Sequence, residues 1–254
     1  MEQFVDEAGE FKLIIDPYNG ITVKKESIPK QIDQFVKSLD ELMIYLTKVQ
    51  RNLIWIDINI DKSYLIPYLT MHNFVFHTCQ EKSILLVKKV KKEAIIPTAS
   101  NHTLGVGVVV LNEYNELLVI KERISTTTYK LPGGHIDDGE MISQAVAREV
   151  LEETGVEVVF ESIVSLGHFF PHQFNKSNLY IICLAKPISY DINIQDTNEI
   201  EDAKWMDVDE YLQDDTVLEY NKVLVNSALD IKGFKSFDLE SFKHIPKRYE
   251  LFGL

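Results

Sequence analysis

Residues 134–156 read GHIDDGEMISQAVAREVLEETGV, and the rest of the chain is placed by reference to them. Gly134, Glu140, Arg148, Glu149, Glu152, Glu153 and Gly155 stand at the spacing G-x5-E-x7-R-E-U-x-E-E-x-G-U, with Val150 and Val156 at the bulky apolar positions U. The segment predicts a helix from about Glu140 to Thr154. Asp137, three residues before Glu140, suits a capping-box start, and Gly155 suits a left-handed C-cap. Glu149, Glu152 and Glu153 fall at i, i+3 and i+4, so three carboxylates leave one helix face within a turn of each other. Charges so close repel. Hard divalent cations such as Mg²⁺ or Mn²⁺ prefer carboxylate oxygens and also bind phosphates, so they are the natural compensation. An isolated EVLEE would be a solvated acidic face; with the glycines and Arg148 in register it reads as a metal site. Arg148, four residues before Glu152, is within ion-pairing reach and can orient that carboxylate.

Just upstream, KLPGG (130–134) supplies a tight turn whose glycines let backbone amides approach a metal-bound phosphate. LGVGVVVLN (104–112) and LLVIKER (117–123) bracket a Tyr-Asn turn and read as one hairpin. Beyond the helix, strands are expected near 156–169, 177–187 and 202–206, and helices near 207–213 and 216–230. Towards the N-terminus, AIIPTASN (94–101) gathers proline and small polar residues between two periodic regions, which puts a boundary near residue 97. Two domains follow, 1–97 and 98–254. The first reads β-β-α-β-α-β-β. It opens on a hairpin at 11–25 around an Asp-Pro-Tyr-Asn-Gly turn, then a helix over 28–49 with Ile32, Phe35, Leu39, Leu42 and Leu46 on one apolar stripe.

The bulk composition fits a folded protein: 254 residues, 45% hydrophobic and 26% charged. A net charge of −13 works against binding a polyanion, which begins with a basic footprint, so nucleic acid is not the expected partner. A small anionic substrate is compatible with it, because bound cations invert the charge locally. The acidic start MEQFVDEAGE has no basic and apolar leader pattern, and no apolar run reaches transmembrane length, so a cytoplasmic protein without membrane partners is expected. Cys79 and Cys183 lack any ligand spacing and are expected as buried structural thiols.

The spacing over 134–156 resembles the Nudix box, with every defining position present. The resemblance implies an α+β, αβα fold for the C-terminal domain, a mixed sheet sandwiched between helices. It also implies hydrolysis of a diphosphate bond by a metal-activated water. Glu149, Glu152 and Glu153, with Gly134, would then hold the metal, and Arg148 would orient a carboxylate. The general base is often a further glutamate. Glu199, in NEIEDAKW (198–205), resembles it, with Glu201 as competitor. Gly133, Gly134, Tyr129 and His172 are the expected substrate contacts.

IWIDI, LIPYL and NFVFH within 51–90, with NHTLGVGVVVLNE, YKLPGG and SNLYIICLAKP further on, resemble a Nudix subgroup that carries a small α/β pre-Nudix domain. That domain is acetyltransferase-like. The subgroup implies ADP-ribose or NADH as substrate, and a homodimer. Three positions depart from its pattern: Tyr129 where Trp is common, Ser177-Asn178 where Ser-Asp is common, and Phe169 where an arginine often stands. Other nucleotides (CoA, a nucleoside triphosphate, capped RNA) and a non-catalytic nucleotide sensor are the competing readings. A sensor often loses box carboxylates, and this chain keeps them all.

Overall fold

A computed structural model describes residues 5–16, 19–124, 128–242, 244 and 247–254. The chain divides into two compact units, Met1–Ser100 and Asn101–Leu254. Among the described residues no helix is long and apolar enough to cross a membrane.

The first unit is a six-stranded mixed sheet in the order β1-β2-β3-β4-β6-β5. Its strands are β1 (Val5–Ala8), β2 (Phe11–Ile15), β3 (Ile21–Val23), β4 (Leu53–Asn59), β5 (Val75–Cys79) and β6 (Ser83–Lys89). β1 was not expected; it pairs antiparallel with β2. The expected turn between β2 and β3 includes Pro17 and Tyr18, which lie outside the described residues, while Asn19 beside them takes positive φ as anticipated. β3 and β4 run parallel, joined by the crossover helix α1 (Ile32–Val49). Phe35, Leu39, Leu42 and Leu46 form the buried stripe of α1, whereas Ile32, at the first turn, is left exposed. A short helix, α2 (Ile66–Met71), precedes the edge strand β5. Cys79 ends that edge strand and is exposed, which corrects the expectation of a buried thiol; Cys183 is buried as expected.

The second unit holds a three-stranded sheet, β7 (His102–Val110), β10 (Ser177–Pro187) and β9 (Val158–Phe169), in the order β7-β10-β9. A separate antiparallel pair joins β8 (Glu116–Glu122) to β11 (Ile200–Asp207). The expected β7–β8 hairpin is therefore a corner. One bridge, Leu111↔Leu117, survives beside the turn, after which each strand pairs in a different sheet. The other edge of β7 is taken by the glycine turn: Val106 N–H donates to Gly134 O at 2.9 Å and Val108 N–H to Pro132 O at 2.9 Å.

Val106 through Val110 are all buried, as expected for a strand covered on both faces. Val108 and Val110 pack with Ala145, Val146 and Val150 of α3 (Ile142–Thr154). Val109 packs on the opposite side with Tyr211 of α4 (Val208–Gln213) and Leu224, Val225 and Ala228 of α5 (Glu219–Asp230). Helices cover both faces, which gives the α/β/α layering. Near the C-terminus β12 (Lys235–Ser236) pairs with β13 (Phe252–Gly253).

Candidate active site

The helix α3 starts two residues later than expected and ends where the sequence places it. Gly155 takes φ +78° and donates its N–H to Leu151 O at 2.8 Å, as a left-handed cap does. Its N-terminus is not closed by Asp137. The Glu140 carboxylate does accept from the Asp137 N–H at 3.0 Å, but both residues sit in the loop ahead of the helix. The first amides of α3 are instead satisfied from far away: Ile142 N–H and Ser143 N–H donate to the two carboxylate oxygens of Glu250, at 2.8 and 3.1 Å. A partner more than a hundred residues downstream leaves no local trace in sequence.

Arg148 is the hub of the helix face. Its Nε and Nη2 donate to the two oxygens of Glu140, each at 2.8 Å, a bidentate pair. Nη1 reaches Glu149 at 2.9 Å and Glu152 at 3.1 Å, and Nη2 also donates to His135 O at 2.9 Å. The orienting role read from the i, i+4 spacing to Glu152 is present, with Glu140 as the stronger partner. That pairing holds the Glu140 carboxyl below its ordinary range and pushes the guanidinium further up.

The three glutamates are unequal. Glu152 keeps 47% of its side chain in solvent, whereas Glu149 and Glu153 are buried. Burial raises the Glu149 carboxyl and pushes Glu153 up to about 8. Glu153 is held by the Gly133 N–H at 2.7 Å, so that amide faces the helix rather than a phosphate. Gly133 takes φ +145°, and a Cβ there would lie 2.1 Å from Val106 O; one on Gly134 would lie 2.7 Å from both oxygens of Glu149. Gly133 lets the turn press against β7, and Gly134 lets it press against Glu149 of the helix.

Among the described residues no three His, Cys, Asp or Glu side chains converge into a ready-made metal nest; Arg148 bonds one oxygen of Glu149 and one of Glu152, and the Gly133 amide bonds one of Glu153. The donor chemistry nonetheless fits a hard divalent cation: three carboxylates on one face, two of them buried, with Arg148 ion-paired to Glu149 and Glu152. Charge of that kind in a low-dielectric setting calls for a counter-ion.

A cavity of about 250 Å³ lies against the glycine turn, and Arg148, Glu149, Glu152 and Glu153 are not in its lining. Gly133, Gly134, His172 and Glu199, all singled out from sequence, line it. Glu201, the alternative to Glu199, is turned to an ion pair with Lys121 at 3.2 Å and is not in the lining. Tyr129 is not in the lining either. Its hydroxyl donates to Asp202 at 2.5 Å, its ring carries the Lys204 ammonium 4.2 Å from the centroid, and the bond to Asp202 pushes the phenol up to about 12.

Sequence reasoning missed several lining residues. Lys130, quoted only for its turn, ion-pairs with Glu122, and both face the cavity. His135 lies beside His172, ring centroids 6.4 Å apart, and both line the cavity. Tyr180 comes from β10, and its ring fills the space a side chain would need at Gly105 and Gly107. That mutual fit of small and large residues across paired strands was the signal available for Tyr180; Glu122 gave none. Asn178, flagged as a departure, lines the cavity too and donates to Thr103 Oγ1 at 2.9 Å.

Two family models match the chain, one described as NUDIX domain over residues 101–226 and one as Nudix hydrolase domain over residues 11–90. Nudix hydrolase 2 of Arabidopsis thaliana is 30% identical over 233 residues, covering 89% of this chain and 82% of that protein. Nucleoside diphosphate-linked moiety X motif 6 of Xenopus laevis is 38% identical over 164 residues, 62% of this chain and 75% of that one. Nudix hydrolase 8 of Arabidopsis thaliana is 31% identical over 204 residues, 78% of this chain; the match spans only 55% of that protein's length.

Proposed function

This chain belongs to the Nudix hydrolase family, pyrophosphohydrolases of nucleotide derivatives, and on that premise we propose that it cleaves the diphosphate bond of ADP-ribose, giving AMP and ribose 5-phosphate, with NADH as a second substrate. The observation that carries the reading is the glutamate face of α3, two of whose carboxylates are buried against the Gly133–Gly134 turn at the wall of a polar cavity. Family members generally act through divalent metal ions. Mg²⁺ or Mn²⁺ held by Glu149, Glu152 and Glu153, with the Gly134 carbonyl, would activate water and stabilise charge on the leaving phosphate oxygen.

The chain's own groups divide the remaining work. Glu199 is solvent-exposed at the cavity wall and takes the proton of the attacking water. Lys130 offers its ammonium to a phosphate oxygen, and the neighbouring His135 and His172 offer ring N–H groups. Arg148 stays on the protein side, fixing the carboxylates. A second cavity of about 420 Å³ shares Glu122 and Glu199 with the first, which leaves room for groups on both sides of a diphosphate. Such a layout favours ADP-ribose, which carries a ribose unit at each end, over a triphosphate, which has a bare end.

The expected result is a higher kcat/KM for ADP-ribose than for ATP in Mg²⁺, with AMP and ribose 5-phosphate as products by chromatography. Preference for a triphosphate, CoA or capped RNA would overturn the substrate and leave the metal-site chemistry standing. The chain is further proposed to work as a homodimer, with the first unit as structural support rather than a source of catalytic groups.

A further inference from the structure

The C-terminal segment around residue 250 lies beyond the part of the chain that matches the family domain, residues 101–226, yet it is bonded to the start of the helix that carries the acidic face. Glu250 accepts from two α3 amides, Ile142 at 2.8 Å and Ser143 at 3.1 Å. Arg248 donates to Gln144 Oε1 at 2.6 Å and to Gly139 O at 3.2 Å, so it ties the helix's first turn to the loop that carries Glu140. The segment is itself anchored: β13 pairs with β12, Phe252 meets Phe160 of β9 edge to face at 5.5 Å, and Phe237 N–H donates to Leu251 O at 3.0 Å.

From Glu140 the chain of contacts runs on to Arg148, and from Arg148 to Glu149 and Glu152. With Nε and Nη2 held bidentately by Glu140, Arg148 meets Glu149 and Glu152 through Nη1 alone and through one oxygen of each, so Glu140 fixes where the guanidinium sets those two carboxylates. We propose that Glu250 and Arg248 are positioning residues, a C-terminal clamp that holds the Glu140 loop and the first turn of α3 so that Arg148 keeps Glu149 and Glu152 set in place for a cation. The proposal rests on the metal-site reading above. Loss of the clamp frays the first turn, releases Glu140, and lets Arg148 and the two carboxylates it holds drift from those positions.

The test is direct Mn²⁺ binding to the full-length, metal-free chain, followed by electron paramagnetic resonance of the free ion, beside thermal melts and kcat at saturating Mn²⁺. Glu250→Ala is expected to weaken Mn²⁺ binding by about fivefold, the scale of a lost helix cap. Arg248→Ala should shift it in the same direction, and Glu250→Gln, which keeps one of the two acceptor oxygens, should fall between wild type and Glu250→Ala. In all three, kcat at saturating Mn²⁺ should hold within about twofold, because the groups at the cavity are untouched. Should Glu250→Ala fail to fold, Arg248→Ala carries the test. Unchanged Mn²⁺ affinity in the variants, or a fall in kcat without a fall in affinity, overturns the clamp alone. Absence of Mn²⁺ binding to wild type overturns the metal-site reading and the clamp together.

Discussion

Burial holds the Glu153 carboxyl at about 8, several units above the ordinary carboxylate value of about 4.3. In metal-free protein the unfolded chain has released this proton while the native state still holds it, so native stability falls as pH rises from about 5 to about 8 and levels off above. Melts in EDTA should show that decline in wild type, and Glu153→Gln should flatten it; a wild-type profile level across the window contradicts the assignment. Glu152 makes the complementary case. Its side chain is half exposed, so Glu152→Gln should leave the melting temperature in place while lowering kcat by roughly a hundredfold or more, about 2.7 kcal/mol at tenfold per 1.36 kcal/mol. Turnover within about twofold of wild type at saturating Mg²⁺ would show that the glutamate face is not the metal site.

At the scale of elements, the site depends on a turn whose glycine backbone packs directly against the Glu149 and Glu153 side chains of the helix. Gly133 combines φ +145° with a Val106 carbonyl 2.1 Å from any added Cβ, and its amide is the one holding Glu153. Gly133→Ala is therefore expected to cost more than about 2 kcal/mol and to abolish activity, since either the turn or β7 must move. Gly139 is the control. It also takes positive φ, +76°, but a Cβ there meets nothing within 4 Å, so Gly139→Ala should cost only about 1 kcal/mol of backbone strain. Urea denaturation of the two variants side by side measures the difference. Equal losses would mean that strain rather than close approach governs the turn.

The first unit has its own core, built on the α1 stripe packed against its sheet, and the cavity described above is lined wholly by the second unit. Met71, Val75 and Phe76 are nonetheless 78%, 54% and 61% exposed, at the end of α2 and the start of the open edge strand β5. Apolar side chains beside unpaired strand-edge groups are what a second chain would cover. The full-length protein is expected to be a dimer by light scattering and a chain of residues 101–254 a monomer, with any loss of activity tracking lost structure by circular dichroism. A full-length monomer, or a well-folded truncated dimer, would sink the proposed role of the first unit.

Sequence alone settled what is local and periodic. The i, i+3, i+4 glutamates, Arg148 opposite Glu152, the Gly155 cap and the α1 stripe follow from helix geometry, which is the same wherever a helix forms. Tertiary structure decided whatever depends on which distant residues meet. It separated Glu199 from Glu201, turned Tyr129 towards Asp202 and away from the cavity, and brought Glu122, Lys130, Asn178 and Tyr180 to the cavity wall. It opened the expected hairpin into two sheets and closed the head of α3 with Glu250 rather than Asp137. The reason is physical: spacing along a chain fixes which side chains share a face of one element, while packing fixes what that face is set against.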